Sequence, residues 1–121
     1  MKCFEEIQAW QKSRELVREI YKICQDGQPK RDFGFRDQIC RAAVSSMSNI
    51  AEGFARKGDR EFARFLDIAK GSTTEVQSLL YVALDVGYVA REDFDRLYKL
   101  AAAAVSLISG LTSYLRQGLR T

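Results

Sequence analysis

Arg56, Lys57, Arg60 and Arg64 put a run of positive charge into one short stretch of chain. Such side chains recognise phosphate oxygens, and such contacts position a nucleic acid without reading its bases. Arg56 and Arg60, and then Arg60 and Arg64, are four residues apart, so they share a face if a helix runs through them. Glu52, Asp59 and Glu61 dilute the field, and a merely solvated turn is the plainer alternative. An assembly of several subunits would tip the balance towards binding by repeating the patch.

Just upstream, VSSMSNIAEGF (44–54) crowds Ser45, Ser46, Ser48 and Asn49 into an otherwise helical segment and follows them with Gly53. Ser and Asn are mediocre helix formers, and Gly costs about 1 kcal/mol relative to Ala in a helix interior. Three readings compete. In the first, small residues at Ser45, Ser46, Gly71 and Ser72 let two helices cross closely, with Ser45 level with Gly71 in a hairpin about Gly58. In the second, Asn49-x-x-Glu52 is a capping box that restarts the helix after a kink. In the third, Ser45, Ser48, Asn49 and Glu52 form a polar binding motif flanked by Arg41 and Arg56.

The chain contains no histidine. That removes the side chain best suited to acid–base work near neutral pH, the Ser–His and Cys–His nucleophile pairs, and the usual zinc ligand. No glycine-rich phosphate loop appears. Glu52, Asp67 and Glu75 could pair inside a bundle, but solvated faces account for them more simply. The expectation is a protein that is not an enzyme, with no catalytic residues, no cofactor and no metal.

Cys3, Cys24 and Cys40 are odd in number and lack metal-ligand spacing, which argues against a disulfide framework and for the cytoplasm. The N-terminal MKCFEEIQAWQ carries charges where a secretion signal needs apolar residues. No run of about 18 apolar residues occurs, so no membrane partner is expected. With 19 Lys and Arg against 16 Asp and Glu, the net charge of +3 permits association with RNA or DNA without demanding it.

Residues that carry this chemistry need elements to hold them, and the hydrophobic period supplies four. The 121 residues fit one domain, 1–121, with helices expected at about 4–26, 33–56, 60–86 and 91–118. Trp10, Ser13, Val17, Ile20 and Cys24 recur at helical spacing in the first. GQPKRD (27–32) reads as a loop. Ile39, Ala43, Met47, Ile50 and Phe54 line one face of the second, with Arg41, Ser45, Asn49, Glu52 and Arg56 nearly opposite. Asp59 is placed to cap the third, whose main stripe runs Phe62, Leu66, Ala69, Thr73, Val76, Leu80 and Ala83. Gly87 stops it. Phe94, Leu97, Ala101, Ala104, Ile108, Leu111 and Leu115 make the fourth, with Glu92, Asp93 and Asp95 at its start and Arg116 and Arg120 at its end. The fold class expected is all-α, an antiparallel up-down-up-down four-helix bundle.

The third and fourth segments carry more apolar surface than one stripe needs. In a lone bundle Leu79, Val82, Leu100 and Leu107 would partly face water, each forgoing about 1.5–3 kcal/mol of burial. Contacts between copies would recover it, which predicts a homo-oligomer.

FEEIQAWQKSRELVREIY (4–21), QICRAAVSSMSNIAEGFARKG (38–58), EFARFLDIAKGSTTEVQSLL (61–80) and DVGYV (85–89) together resemble the 23S rRNA intervening-sequence proteins, SNIAEG being the most specific part. The resemblance implies a four-helix subunit assembling as a ring-shaped homopentamer. It also brings in similar proteins that serve as accessory subunits of reverse transcriptases, where a basic ring engages nucleic acid and polymerase. On that footing the implied partners are further copies of the chain, RNA or DNA through Arg41, Arg56, Lys57, Arg60 and Arg64, and a reverse transcriptase or another protein. A scaffold that grips a protein and has no role with nucleic acid is the alternative. The chain departs from the family at Ser46-Met47, where Ile-Pro is usual, at Cys40, where a second Arg often stands, and at Ala90, which replaces a capping Ser.

Overall fold

A computed structural model describes residues 1–119 of the chain. Among these, five α-helices and one 3-10 turn account for the regular structure, with no strand: the turn Phe4–Glu6, α1 (Gln8–Ile23), α2 (Gly27–Arg31), α3 (Phe33–Ala55), α4 (Asp59–Asp85) and α5 (Arg91–Leu119). Arg120, expected at the end of the last helix, lies outside the described residues.

The expected helix boundaries shift in three places. The first helix begins at Gln8 rather than near residue 4, because Ile7 is extended and buried while Phe4–Glu6 forms a separate turn. GQPKRD contains α2 instead of an open loop. Pro29 is the third residue of α2, where no helical amide bond is yet required, and its ring is buried. Asp59 does not cap α4 but is its first residue; Gly58, at φ +99°, precedes it with no side-chain cap.

The four long helices pack in a closed circuit, α1 on α3, α3 on α4, α4 on α5 and α5 on α1. Gln38–Glu75, Ser45–Ser72 and Gly53–Phe65 step in opposite senses along α3 and α4, as Tyr81–Phe94 and Asp67–Arg116 do along α4 and α5.

The core falls into two apolar clusters. One gathers Leu16, Ile20, Ile39, Val76, Leu80 and Leu97; the other gathers Trp10, Ile50, Phe62, Leu66, Ile108 and Leu115. Between them lies a fully buried layer of hydroxyls. Ser46 donates to Ser13 Oγ at 3.1 Å and shares a 2.8 Å bond with Thr73 Oγ1, which donates to the Ala69 carbonyl at 2.8 Å. Ser13 and Thr73 sit on the predicted apolar stripes, and their burial is tolerated because each finds a partner.

At the opposite end from the α3–α4 turn, Asp32 ties three segments together. Its carboxylate accepts the Phe35 amide at 3.1 Å, capping α3, and the Tyr88 hydroxyl at 2.6 Å. Phe35 packs edge-on against the Tyr88 ring, 5.3 Å between centroids.

The surplus apolar surface lies outside this core. On α4 Ile68 is exposed and Val82 is 44% exposed, and Val86, the residue after the helix, is 54% exposed; Tyr114 on α5 is 71% exposed. Leu79, Leu100 and Leu107 are half-buried. None of the helices among the described residues is long and apolar enough to cross a membrane.

Candidate nucleic-acid interface

The basic stretch is shaped by a glycine nearby. A Cβ on Gly53 would stand 2.6 Å from Phe65 Cβ and 3.0 Å from Phe62 Cδ1, so only glycine lets α3 and α4 come this close. The approach seats Phe65, buried, directly beneath the turn. Over its ring lie two guanidinium groups, Arg56 at 5.2 Å and Arg64 at 4.8 Å from the centroid. Each such contact is worth about 0.5–1 kcal/mol at an exposed site and holds the charge in place.

Arg56 ends α3 in an extended conformation, and the chain then turns through Lys57 and Gly58 into α4. Arg56, Lys57 and Arg60 are exposed and make no ion pair within 4.0 Å among the described residues. Arg64 is different. Its Nε donates to Glu61 Oε2 at 2.8 Å, a bond that holds the Glu61 carboxyl below its ordinary range and raises the guanidinium. Among the described residues, the cations at this turn without an ion pair within 4.0 Å are therefore Arg56, Lys57 and Arg60, although Arg56 also helps to hold the Glu61 carboxyl down through space.

Arg41 stands apart from them. Fifteen residues of α3 separate it from Arg56, about 22 Å at the helical rise. It lines a cleft of about 430 Å³ between α3 and α4 with Asp37, Gln38, Ser45, Ser72 and Glu75. Gln38 donates to Glu75 across this cleft at 3.3 Å.

The polar motif divides in the same way. Ser45 and Ser72 share a 2.8 Å hydrogen bond, and Asn49 Nδ2 donates back to the Ser45 carbonyl at 2.8 Å and to Ser45 Oγ at 3.0 Å. Those groups are occupied by packing. Ser48 and Glu52 are exposed and make no side-chain hydrogen bond among the described residues. α3 is continuous through Asn49, so no capping box restarts it. The close-crossing reading is right in kind and displaced in position. Ser45 meets Ser72 rather than lying level with Gly71, Gly71 is exposed with nothing near it, and the tight contact is at Gly53.

Two features escaped the sequence reading. Phe65 as the floor of the arginine cluster was signalled only by its place beside Arg64. The Ser13 hydroxyl was visible as a polar residue on an apolar stripe, but its partners were not. Among the described residues, no His, Cys, Asp and Glu side chains converge in a group that could hold a metal ion.

Residues 5–110 match the model of a family described as 23S rRNA-intervening sequence protein. No curated protein matches the chain. Among solved structures, a crystal structure of a protein with unknown function from the S23 ribosomal protein family, from Bacteroides thetaiotaomicron VPI-5482, is similar over 86% of this chain and 97% of its own. The TM-score is 0.78 at 22% identity, a likeness of fold.

Proposed function

The chain belongs to the 23S rRNA-intervening sequence protein family, and from that premise we propose that it is a non-enzymatic cytoplasmic accessory protein that binds nucleic acid as a homo-oligomer. The subunit is an up-down-up-down four-helix bundle and the assembly a ring of five. The observation that carries the proposal is the trio Arg56, Lys57 and Arg60, without ion-pair partners among the described residues, with Arg56 braced on the Phe65 ring. A ring repeats the trio once per subunit and focuses its potential. Arg41 meets only a ligand long enough to run along α3. The exposed apolar residues Ile68 and Val82 on α4, with Val86 just past its end, support the contact between copies.

Binding through such a surface is mostly to phosphates, weakly selective for sequence and steeply dependent on salt. Neutralising three phosphates per subunit gives a log–log salt slope of roughly −2 to −3 for each subunit engaged. Titration of labelled RNA and DNA at low and physiological salt tests this. Tight binding at low salt that fades as salt rises supports it; no binding at low salt, or binding indifferent to salt, removes it.

The α4 stripe also favours a second reading, a scaffold that grips a reverse transcriptase or another protein with no role for nucleic acid. Under that reading, reversing the charges at the turn leaves the partner captured.

A further inference from the structure

The α2–α3 junction carries a second cationic and aromatic surface, at the far end of α3 from the turn. Phe33, the first residue of α3, is 63% exposed, although Phe35 two residues on is the one packed into the core. The Arg36 guanidinium lies over the Phe33 ring at 4.7 Å from its centroid. Lys30, Arg31, Phe33 and Arg36 line a cleft of about 470 Å³ with Asp26 as its one acidic side chain.

The junction is held before any ligand arrives. Arg36 Nη1 donates to the Lys30 carbonyl at 3.0 Å, joining α2 to α3, and Asp32 fixes the hinge through the Phe35 amide and the Tyr88 hydroxyl. Arg36 also lies 3.5 Å from the Asp37 carboxylate, which offsets part of its charge. Lys30 and Arg31 form no ion pair among the described residues. An exposed ring in a fixed orientation, flanked by unpaired cations, is the arrangement that takes an unstacked base on its face and the adjoining phosphates on its rim.

We propose that this junction is a binding site for single-stranded nucleic acid, with a base stacked on Phe33 and its neighbouring phosphates on Lys30 and Arg31. A base on the ring face opposite Arg36 completes a guanidinium–phenyl–base stack. Duplex bases are already stacked on one another, so the site discriminates strands from duplexes. The turn cluster, built on charge alone, does not. The two sites are about 34 Å apart along α3. They share a class of ligand but no residue, so this site does not rest on the turn.

The test is anisotropy titration of labelled oligo-U, oligo-dT and a short duplex against wild type, Phe33→Ala, Phe33→Trp and the pair Lys30→Glu/Arg31→Glu, with assembled mass measured alongside. The expected result is that F33A weakens both single strands about ten-fold, F33W retains them, the charge pair weakens them further, and duplex affinity under F33A stays at the wild-type value. Circular dichroism of F33A should match wild type, since the ring is outside the core. Unchanged single-strand affinity in F33A, no single-strand binding by wild type, or an equal loss for duplex overturns the proposal. A changed mass in F33A also overturns it, assigning Phe33 to a contact between copies. Loss of binding on charge reversal at the α3–α4 turn with no effect of F33A sinks this site and leaves the turn standing.

Discussion

Gly53 and Phe65 meet so closely that the glycine has no room for a side chain, a Cβ there falling 2.6 Å from Phe65 Cβ. Through that contact a packing feature of α3 fixes a surface feature, because the Phe65 ring is the support on which Arg56 and Arg64 rest.

Gly53→Ala should therefore destabilise the protein, although alanine is the better helix former by about 1 kcal/mol. The opposing atom is a Cβ tied to backbone, not the far end of a flexible chain, so α3 and α4 must separate. Overpacking of this kind costs about 1–3 kcal/mol. Urea denaturation checks it: a lowered midpoint is expected, and an unchanged or raised midpoint would show that the helices part freely.

The hydroxyl layer makes a separate prediction. Ser46→Ala removes the donor to Ser13 and the partner of Thr73 at a position with no access to water. Leaving a buried polar group unsatisfied costs about 1–3 kcal/mol. Adding Ser13→Ala removes the stranded group, so the double variant should lose less stability than the two single losses together. Simple additivity in chemical denaturation would mean that the hydroxyls do not depend on one another.

The Asp32–Tyr88 bond sets a pH dependence. The Tyr88 hydroxyl, and after it the Phe35 amide, hold the Asp32 carboxyl below its ordinary value of 3.8. A depressed carboxyl contributes stability that is present above the unfolded value and lost as pH falls through the folded one. The same bond raises the Tyr88 phenol, a contribution present below its ordinary value of 10.0 and lost as pH rises through the folded value. Thermal unfolding should thus show a steeper acid limb, below about pH 4, in wild type than in Tyr88→Phe. Parallel limbs would contradict this.

Thiol chemistry should separate the cysteines. Burial, with the neighbouring Cys40 thiol adding to it, pushes Cys24 up to about 12, and burial raises Cys40. Cys3 is raised too, chiefly by desolvation, but it is exposed. Titration with a disulfide reagent should find one fast thiol per native chain and two more only in denaturant. Three fast thiols would contradict the burial of the α1–α3 contact.

Much of this was legible in the sequence because the relevant signals are local and periodic. Leu66, Ala69, Val76 and Leu80 are core residues where the helical period put them. Val82 is exposed and Leu79, Leu100 and Leu107 half-buried where one stripe was judged too many. Gly87, at φ +81°, ends α4 as its type suggests. What stayed hidden depended on register between helices. Counting outward from Gly58 put Ser45 against Gly71. The structure pairs Ser45 with Ser72 and Ser46 with Thr73, an offset set by how the two helices slide against each other and not by the position of the turn. α2 stayed hidden because Gly and Pro read as breakers, whereas a proline in the first turn of a helix breaks nothing. The split between Arg41 and the turn cluster is a matter of distance along one helix, which a face-by-face reading does not register.

Charge reversal at the turn is the most direct test of the central claim. Arg56→Glu/Lys57→Glu/Arg60→Glu should lower the affinity for labelled RNA, read by anisotropy at low salt, by at least about ten-fold. Light scattering should give the same assembled mass for variant and wild type, about 69 kDa for five chains of 13.8 kDa. Undiminished RNA binding by the intact triple variant would contradict the account.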